Sequence, residues 1–168
     1  LIEKTRFAIS NEETRYFLNG IYFHKRNANS KECLCIVATD GHRLAKIDFN
    51  TQEKISEIPG VIIPRKTIGE LCKLLADFSG TVKINLDPNK IIFFVDKSIL
   101  ISKLIDGSFP DYQKVIPNNN TNIMSVKRND FCLAVDRVST ITNEKSPAIK
   151  FKLLKNIMNM TSVNSDNG

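Results

Sequence analysis

Cys33-Leu-Cys-Ile-Val-Ala-Thr-Asp-Gly-His-Arg-Leu-Ala-Lys-Ile-Asp-Phe49 is a pair of apolar runs broken once, at Asp40-Gly41. Asp-Gly between two strand-like runs marks a tight turn, because glycine accepts the positive φ that the turn needs. Strands are therefore expected over 33–38 and 42–49, with Thr39, His42 and Arg43 gathered at one end of a sheet. Upstream, 15–24 reads as another strand, separated from 33–38 by the polar turn Asn27-Ala-Asn-Ser30. Downstream, the runs 60–63, 81–86, 91–95 and 98–104 follow. Asp87-Pro-Asn89 and Asp96-Lys97 join the last three into an antiparallel meander. Three segments read as helices instead. Pro64–Asp77 opens with proline in the first turn and places Ile68, Leu71, Cys72 and Leu75 on one face, with Lys66 and Lys73 on the other. Leu1–Asn11 carries Ile2 and Ile9. Arg128–Thr142 carries Phe131, Ala134, Val135 and Val138, with Asn129 or Asp130 as its cap. Past Pro117 the tract 118–122 reads as a linker, and 123–126, 149–154 and 157–163 as strands. Helices thus begin near 1, 64 and 128, each followed by strands, which predicts an α+β unit repeated about every 64 residues. The third copy stops after two strands.

The chain has 168 residues, 42% hydrophobic and 25% charged. That suits one domain, or one and part of another, and excludes wholesale disorder. No apolar run approaches the roughly 20 residues of a membrane-spanning helix, and no secretory signal is visible. The opening Leu-Ile-Glu-Lys reads as the middle of a helix and the close, Asn164–Gly168, as an unstructured stretch. A piece of a longer chain is expected. Cys33, Cys35, Cys72 and Cys132 lack the paired spacing of a zinc site, and only His24 and His42 are available as imidazole ligands. Plain buried thiols in a reducing, cytoplasmic compartment are expected, with no metal or cofactor. Phosphate-binding glycine loops are missing. Asp40 and His42 could serve a small cytosolic hydrolase or transferase, but they need a nucleophile or metal that the sequence does not supply. The net charge of +6 permits nucleic-acid binding without demonstrating it, since a lysine bias also follows from AT-rich codons. Basic residues open two helices, Arg65-Lys66 and Lys127-Arg128. Cations there oppose the helix dipole at a cost of a few tenths of a kcal/mol. A ligand-facing role and a merely solvated helix end both account for them. Finally, Ser102–Pro117 begins as a strand and becomes a connector: either a rigid inter-domain strap whose Phe109 and Tyr112 plug the domain edge, or such a strap with a functional groove beside it.

Four stretches of this chain occur together in a known pattern: Arg15-Tyr-Phe-Leu18-Asn-Gly20, Thr39-Asp-Gly-His-Arg-Leu-Ala45, Ile63-Pro-Arg-Lys66 and Lys103-Leu-Ile-Asp-Gly-Ser-Phe-Pro-Asp-Tyr112. In order and spacing, and with Asn143-Glu-Lys145 after the third helix, they resemble the bacterial sliding-clamp family, the beta subunits of DNA polymerase III. The resemblance covers nearly the whole chain. It implies a DNA-clamp fold of the α+β class, with helices on an inner face and sheets outside. Residues 1–117 would form the middle domain and 118–168 the truncated N-terminal part of the third. It also implies a processivity factor without catalytic activity, which closes as a homodimeric ring around duplex DNA regardless of sequence. Such rings tether the replicative polymerase, clamp loader and repair proteins through short peptide motifs ending in Leu and Phe. The family's peptide pocket falls here on Arg15, Leu18, Thr39, Gly41, His42, Arg43, Leu44, Pro110 and Val115. Lys114 stands where the family commonly has arginine, exchanging a planar fork for a point charge. Leu18, Leu44, Pro110 and Val115 would form an apolar cleft with Arg15, Thr39 and His42 at its margin. A ring lining needs phosphate-facing cations and no base readers, and Arg65, Lys66 and Lys73 suit it.

Overall fold

Period-two alternation builds most of this molecule. The computed structural model describes residues 1–28, 31–50, 58–141 and 148–162, in two compact units, 1–113 and 114–168. In the first unit, β1 (Gly20–Ala28), β2 (Lys31–Thr39), β3 (Leu44–Asn50) and β4 (Val61–Pro64) form one antiparallel sheet in the order β3-β2-β1-β4. Thr39 pairs with Leu44 across the Asp-Gly turn, and Gly20 pairs with Pro64. A side chain at Gly20 would collide with the Ile63 carbonyl, so glycine permits the close approach of β1 and β4.

The expected meander is present as β5 (Lys83–Asp87), β6 (Lys90–Val95) and β7 (Ser98–Lys103), in that order. Along β6, Ile91, Phe93 and Val95 are buried while Ile92 and Phe94 are partly exposed. Between β4 and β5 runs α1 (Arg65–Leu75), entered from Pro64. Its Ile68 and Leu71 are buried in the core with Ile21, Phe23, Ile63 and Phe93, and Cys72 and Leu75 pack from the side. Each fully buried aliphatic side chain here contributes about 2–3 kcal/mol to folding.

The second unit holds α2 (Arg128–Ser139) and the hairpin of β8 (Ile149–Leu154) and β9 (Ile157–Ser162). The expected apolar stripe, Phe131, Ala134, Val135 and Val138, is half-buried, and Phe131 stacks on Phe151 with ring centres 6.0 Å apart.

Several expectations are corrected. Leu1–Asn11 is not an α-helix but two 3-10 turns, Ile2–Lys4 and Arg6–Ala8. Thr5 interrupts them, its hydroxyl donating to the Ile2 carbonyl at 3.1 Å, and so short a helix is marginal without strong local propensity. Residues 15–19 do not join the strand. The Leu18 and Asn19 N–H groups close a 3-10 turn onto Arg15 and Tyr16 and are unavailable to a ladder. The cap of α2 is Lys127, without a side-chain bond, rather than Asn129 or Asp130. Those two lie inside the first turn, where the Asp130 charge suits the dipole. Residues 123–126 form no strand, and Ile123 is 86% exposed. The repeat survives only in part: α helices start at 65 and 128, whereas the first copy opens on 3-10 turns. Cys33 and Cys35 are buried free thiols, Cys72 is half-buried, and Cys132 is exposed on α2 rather than buried. Asn29, Ser30, Asn143–Lys145, Thr142 and Val163 lie outside the described residues.

Candidate functional site

The loop 39–44 is built from its own side chains. Thr39 Oγ1 donates to the Arg43 carbonyl at 2.7 Å and accepts from the Gly41 N–H at 3.1 Å. Asp40 Oδ1 accepts from the backbone N–H groups of His42 and Arg43, both at 2.9 Å, while Oδ2 accepts from Arg43 Nε at 3.0 Å. This is an aspartate turn closed by three donors. Donation from the Arg43 and His42 backbone holds the Asp40 carboxyl well below its usual range, at about 2. Gly41 has φ +90°, a conformation reserved for glycine.

Arg15 joins this loop from 25 residues away in the chain: its Nη2 donates to the Asp40 carbonyl at 3.0 Å. The same guanidinium is held by the Glu12 carboxylate at 2.7 and 2.5 Å. That pairing raises the Arg15 pKa and lowers that of Glu12. A side chain at Gly41 would press on Arg15 Nη1, so the loop and Arg15 are fitted to each other. Arg43 also lies over the Phe7 ring, 5.8 Å from its centre. Glu12 and Phe7 are site residues that sequence reasoning missed; the spacing of Glu12 and Arg15, three apart, was the available signal.

Arg15, Thr39, Gly41, His42 and Arg43 are therefore one hydrogen-bonded patch, with Gly41, His42 and Arg43 exposed. Leu44 is half-buried at the start of β3. Leu18 is only 3% exposed, and its carbonyl accepts the Ser10 N–H at 3.1 Å. Pro110 is exposed, and Lys114 and Val115 lie exposed in the short 3-10 helix Tyr112–Val115. An apolar cavity of about 710 Å³ lies under α1, lined by Ile68, Leu71 and Phe93 among others. None of the ten expected docking residues lines it.

In the strap 104–113, Tyr112 is buried and Phe109 stacks flat on Tyr22, ring centres 4.8 Å apart. Tyr22 and the Tyr112 partner His24 belong to the interior strand β1, so the two rings lie against a sheet face rather than at the expected edge.

The expected DNA-facing residues Arg65, Lys66 and Lys73 are exposed on α1. Lys73 is paired with Glu70 at 3.0 Å, whereas Arg65 and Lys66 form no ion pair among the described residues. Chemistry of the hydrolase kind finds no support here. The Asp40 carboxylate engages the His42 backbone rather than its ring, and no cluster of three metal-ligating side chains occurs among the described residues. No helix among them is long and apolar enough to cross a membrane.

Comparison with known proteins gives a consistent result. The family described as DNA polymerase III beta subunit, central domain, matches residues 1–111, and its C-terminal domain matches 113–168. The beta sliding clamp of Caulobacter vibrioides is 46% identical over 168 residues, which is all of this chain and 45% of the relative. That of Rickettsia felis is 39% identical over 172 residues, with 100% and 44% covered. Among solved structures, a sliding clamp from Bartonella birtlesii bound to griselimycin shares 47% identity at TM-score 0.88, covering 100% of this chain and 45% of that one. A Caulobacter crescentus beta sliding clamp shares 46% identity at TM-score 0.93, with 99% and 44% covered. The chain thus spans about 45% of the length of the relatives it matches.

Proposed function

Because the chain belongs to the DNA polymerase III beta-subunit family, with the α+β clamp fold, we propose that it serves as part of a replication processivity clamp. In this reading residues 1–117 are the clamp's middle domain and 118–168 the start of its third. The full-length protein closes as a homodimeric ring on duplex DNA in the bacterial cytoplasm, performs no catalysis, and needs no metal or cofactor. It holds the replicative polymerase, clamp loader and repair proteins by short peptides ending in Leu and Phe.

The observation that carries this reading is the joining of Arg15 to the 39–43 loop in one ordered patch. It presents His42 and Arg43 as polar groups for a peptide backbone beside half-buried Leu44. Lys114, Val115 and Pro110 are assigned to the same docking function by their place in the family pattern. On α1, the exposed cations Arg65 and Lys66, with Lys73 two turns on, suit sliding contact with phosphates, because contacts to backbone alone carry no sequence preference. The test replaces all three with alanine in the full-length protein loaded on circular duplex DNA. Retention is expected to fall and to lose part of its salt dependence. Unchanged retention refutes the lining assignment.

A further inference from the structure

Along β6 and β7 the alternation that serves the rest of the molecule breaks down. A strand with one face in water reads apolar and polar in turn, whereas Ile91-Ile-Phe-Phe-Val95 is apolar throughout and Ser98-Ile-Leu-Ile101 nearly so. Ile91, Phe93 and Val95 are buried in the core. Ile92 and Phe94 therefore point to the opposite face, and the register puts Ile101 beside Ile92 and Ile99 beside Phe94. Ile99 and Ile101 are each 62% exposed. A continuous apolar run is the pattern of a strand covered on both faces, and here the second face is open to solvent.

The rest of that face is polar and mostly basic. β5 contributes Lys83, Asn85 and Asp87, which pair with Phe94, Ile92 and Lys90. The three strands thus present a grid of three rows: Lys83, Phe94 and Ile99; Asn85, Ile92 and Ile101; Asp87, Lys90 and Lys103. Four apolar side chains make a block between Lys97, in the turn at one end, and the pair of Lys90 and Lys103 at the other. Like charges directly opposite on neighbouring strands are destabilising, and Asp87, 3.6 Å from Lys90, relieves only one of them. The Lys83 ammonium lies 5.7 Å from the centre of the Phe94 ring. Lys83, Lys97 and Lys103 form no ion pair among the described residues.

We propose that this face docks an acidic amphipathic helix of a partner protein. Two residues along a strand span about 7 Å, and one helical turn about 5.4 Å. Apolar residues on successive turns of a helix lying along the strands therefore seat on the row of Phe94 and Ile99 and the row of Ile92 and Ile101. Carboxylates one turn beyond reach Lys97 and Lys83 at one end, and Lys103 and Lys90 at the other. Helix on sheet is an ordinary way for two layers to bury an apolar face. Charge selects the occupant. A second copy brings the same lysines against these. A bilayer met broadside takes Asn85 and Asp87 into contact with lipid along with the isoleucines. The face belongs to a different sheet from the 39–44 loop and does not depend on that loop's assignment.

The test titrates a synthetic fluorescent helix, with Leu on two successive turns of one face and Glu on the turns to either side, into the full-length protein by anisotropy. A scrambled peptide of the same composition and vesicles of anionic phospholipid run in parallel. Wild type is expected to bind the helix at about tens of micromolar, and more weakly as salt rises. Ile99→Thr with Ile101→Thr keeps β-branched side chains that suit a strand, and is expected to lose about tenfold. Lys97→Glu with Lys103→Glu, at exposed positions, is expected to lose a similar factor together with the salt dependence. Equal affinity in wild type and either double variant, or equal binding of the scrambled peptide, overturns the proposal. Vesicle binding that disappears in the isoleucine variant, with no binding of the helix, overturns it in favour of a membrane. Self-association in sedimentation that the same variant removes overturns it in favour of a second copy. Hydroxyl-radical footprinting that finds Ile99 and Ile101 protected in the free full-length protein also overturns it, because the protein's own chain then covers the face.

Discussion

Asp40 offers two substitutions that separate its roles by size. Asp40→Asn retains Oδ1, which accepts both backbone N–H groups at 2.9 Å, and loses only the contact of Oδ2 with Arg43 Nε at 3.0 Å. The Arg43 side chain is 61% exposed, and an exposed ion pair of this kind contributes about 0.5 kcal/mol, or about twofold. Asp40→Ala removes all three bonds, with a loss of about 2 kcal/mol in loop order at about 0.5–1 kcal/mol each. Peptide affinity of the full-length protein, near 1 µM or about −8 kcal/mol for so short a ligand, should therefore fall about twofold for Asn and about thirtyfold for Ala. Melting temperature should change little, because the turn lies at the margin of the core. Acid provides a second reading of the same group. A depressed carboxyl contributes above its ordinary pKa and loses that contribution only as pH falls toward about 2, so this turn stays ordered at pH 5. Equal loss for Asn and Ala would refute the reasoning, since it would make the charge rather than the aspartate turn the organising element.

Two further outcomes follow from the same structure. Leu44→Asp places a charge beside the loop at a half-buried position and is expected to abolish peptide binding, while Lys90→Ala, at an exposed site in β6, leaves it unchanged; anisotropy of the full-length protein against both checks this. Ile68→Ala empties a site that is 1% exposed between α1 and the sheet, at a cost of about 2–5 kcal/mol, visible as a lowered thermal midpoint with peptide affinity intact once folded.

What the sequence determined by itself is the local order. Alternating β-branched residues with Asp40-Gly41, Pro88-Asn89 and Asp96-Lys97 between them specify strands and their antiparallel turns, since these preferences act over a few residues. Pro64 and the apolar face around Ile68 and Leu71 likewise determine α1. The Thr39–Leu44 loop was legible as a turn with polar residues at a sheet end, and the family pattern pointed to its partners. Tertiary structure alone decided which of those residues meet. Arg15 reaches the Asp40 carbonyl across 25 positions, and His24 meets Tyr112 across 88, distances at which no local periodicity operates. The same holds for the burial of Leu18, which is 3% exposed although its apolar side chain alone suits a cleft wall and a core equally. It holds for the segment before Asn11, where Thr5 and Ala8 are buried and 3-10 turns replace the expected helix. Burial is a property of the assembled fold, and a residue's neighbours along the chain carry only its preference for being buried, not the partner that buries it.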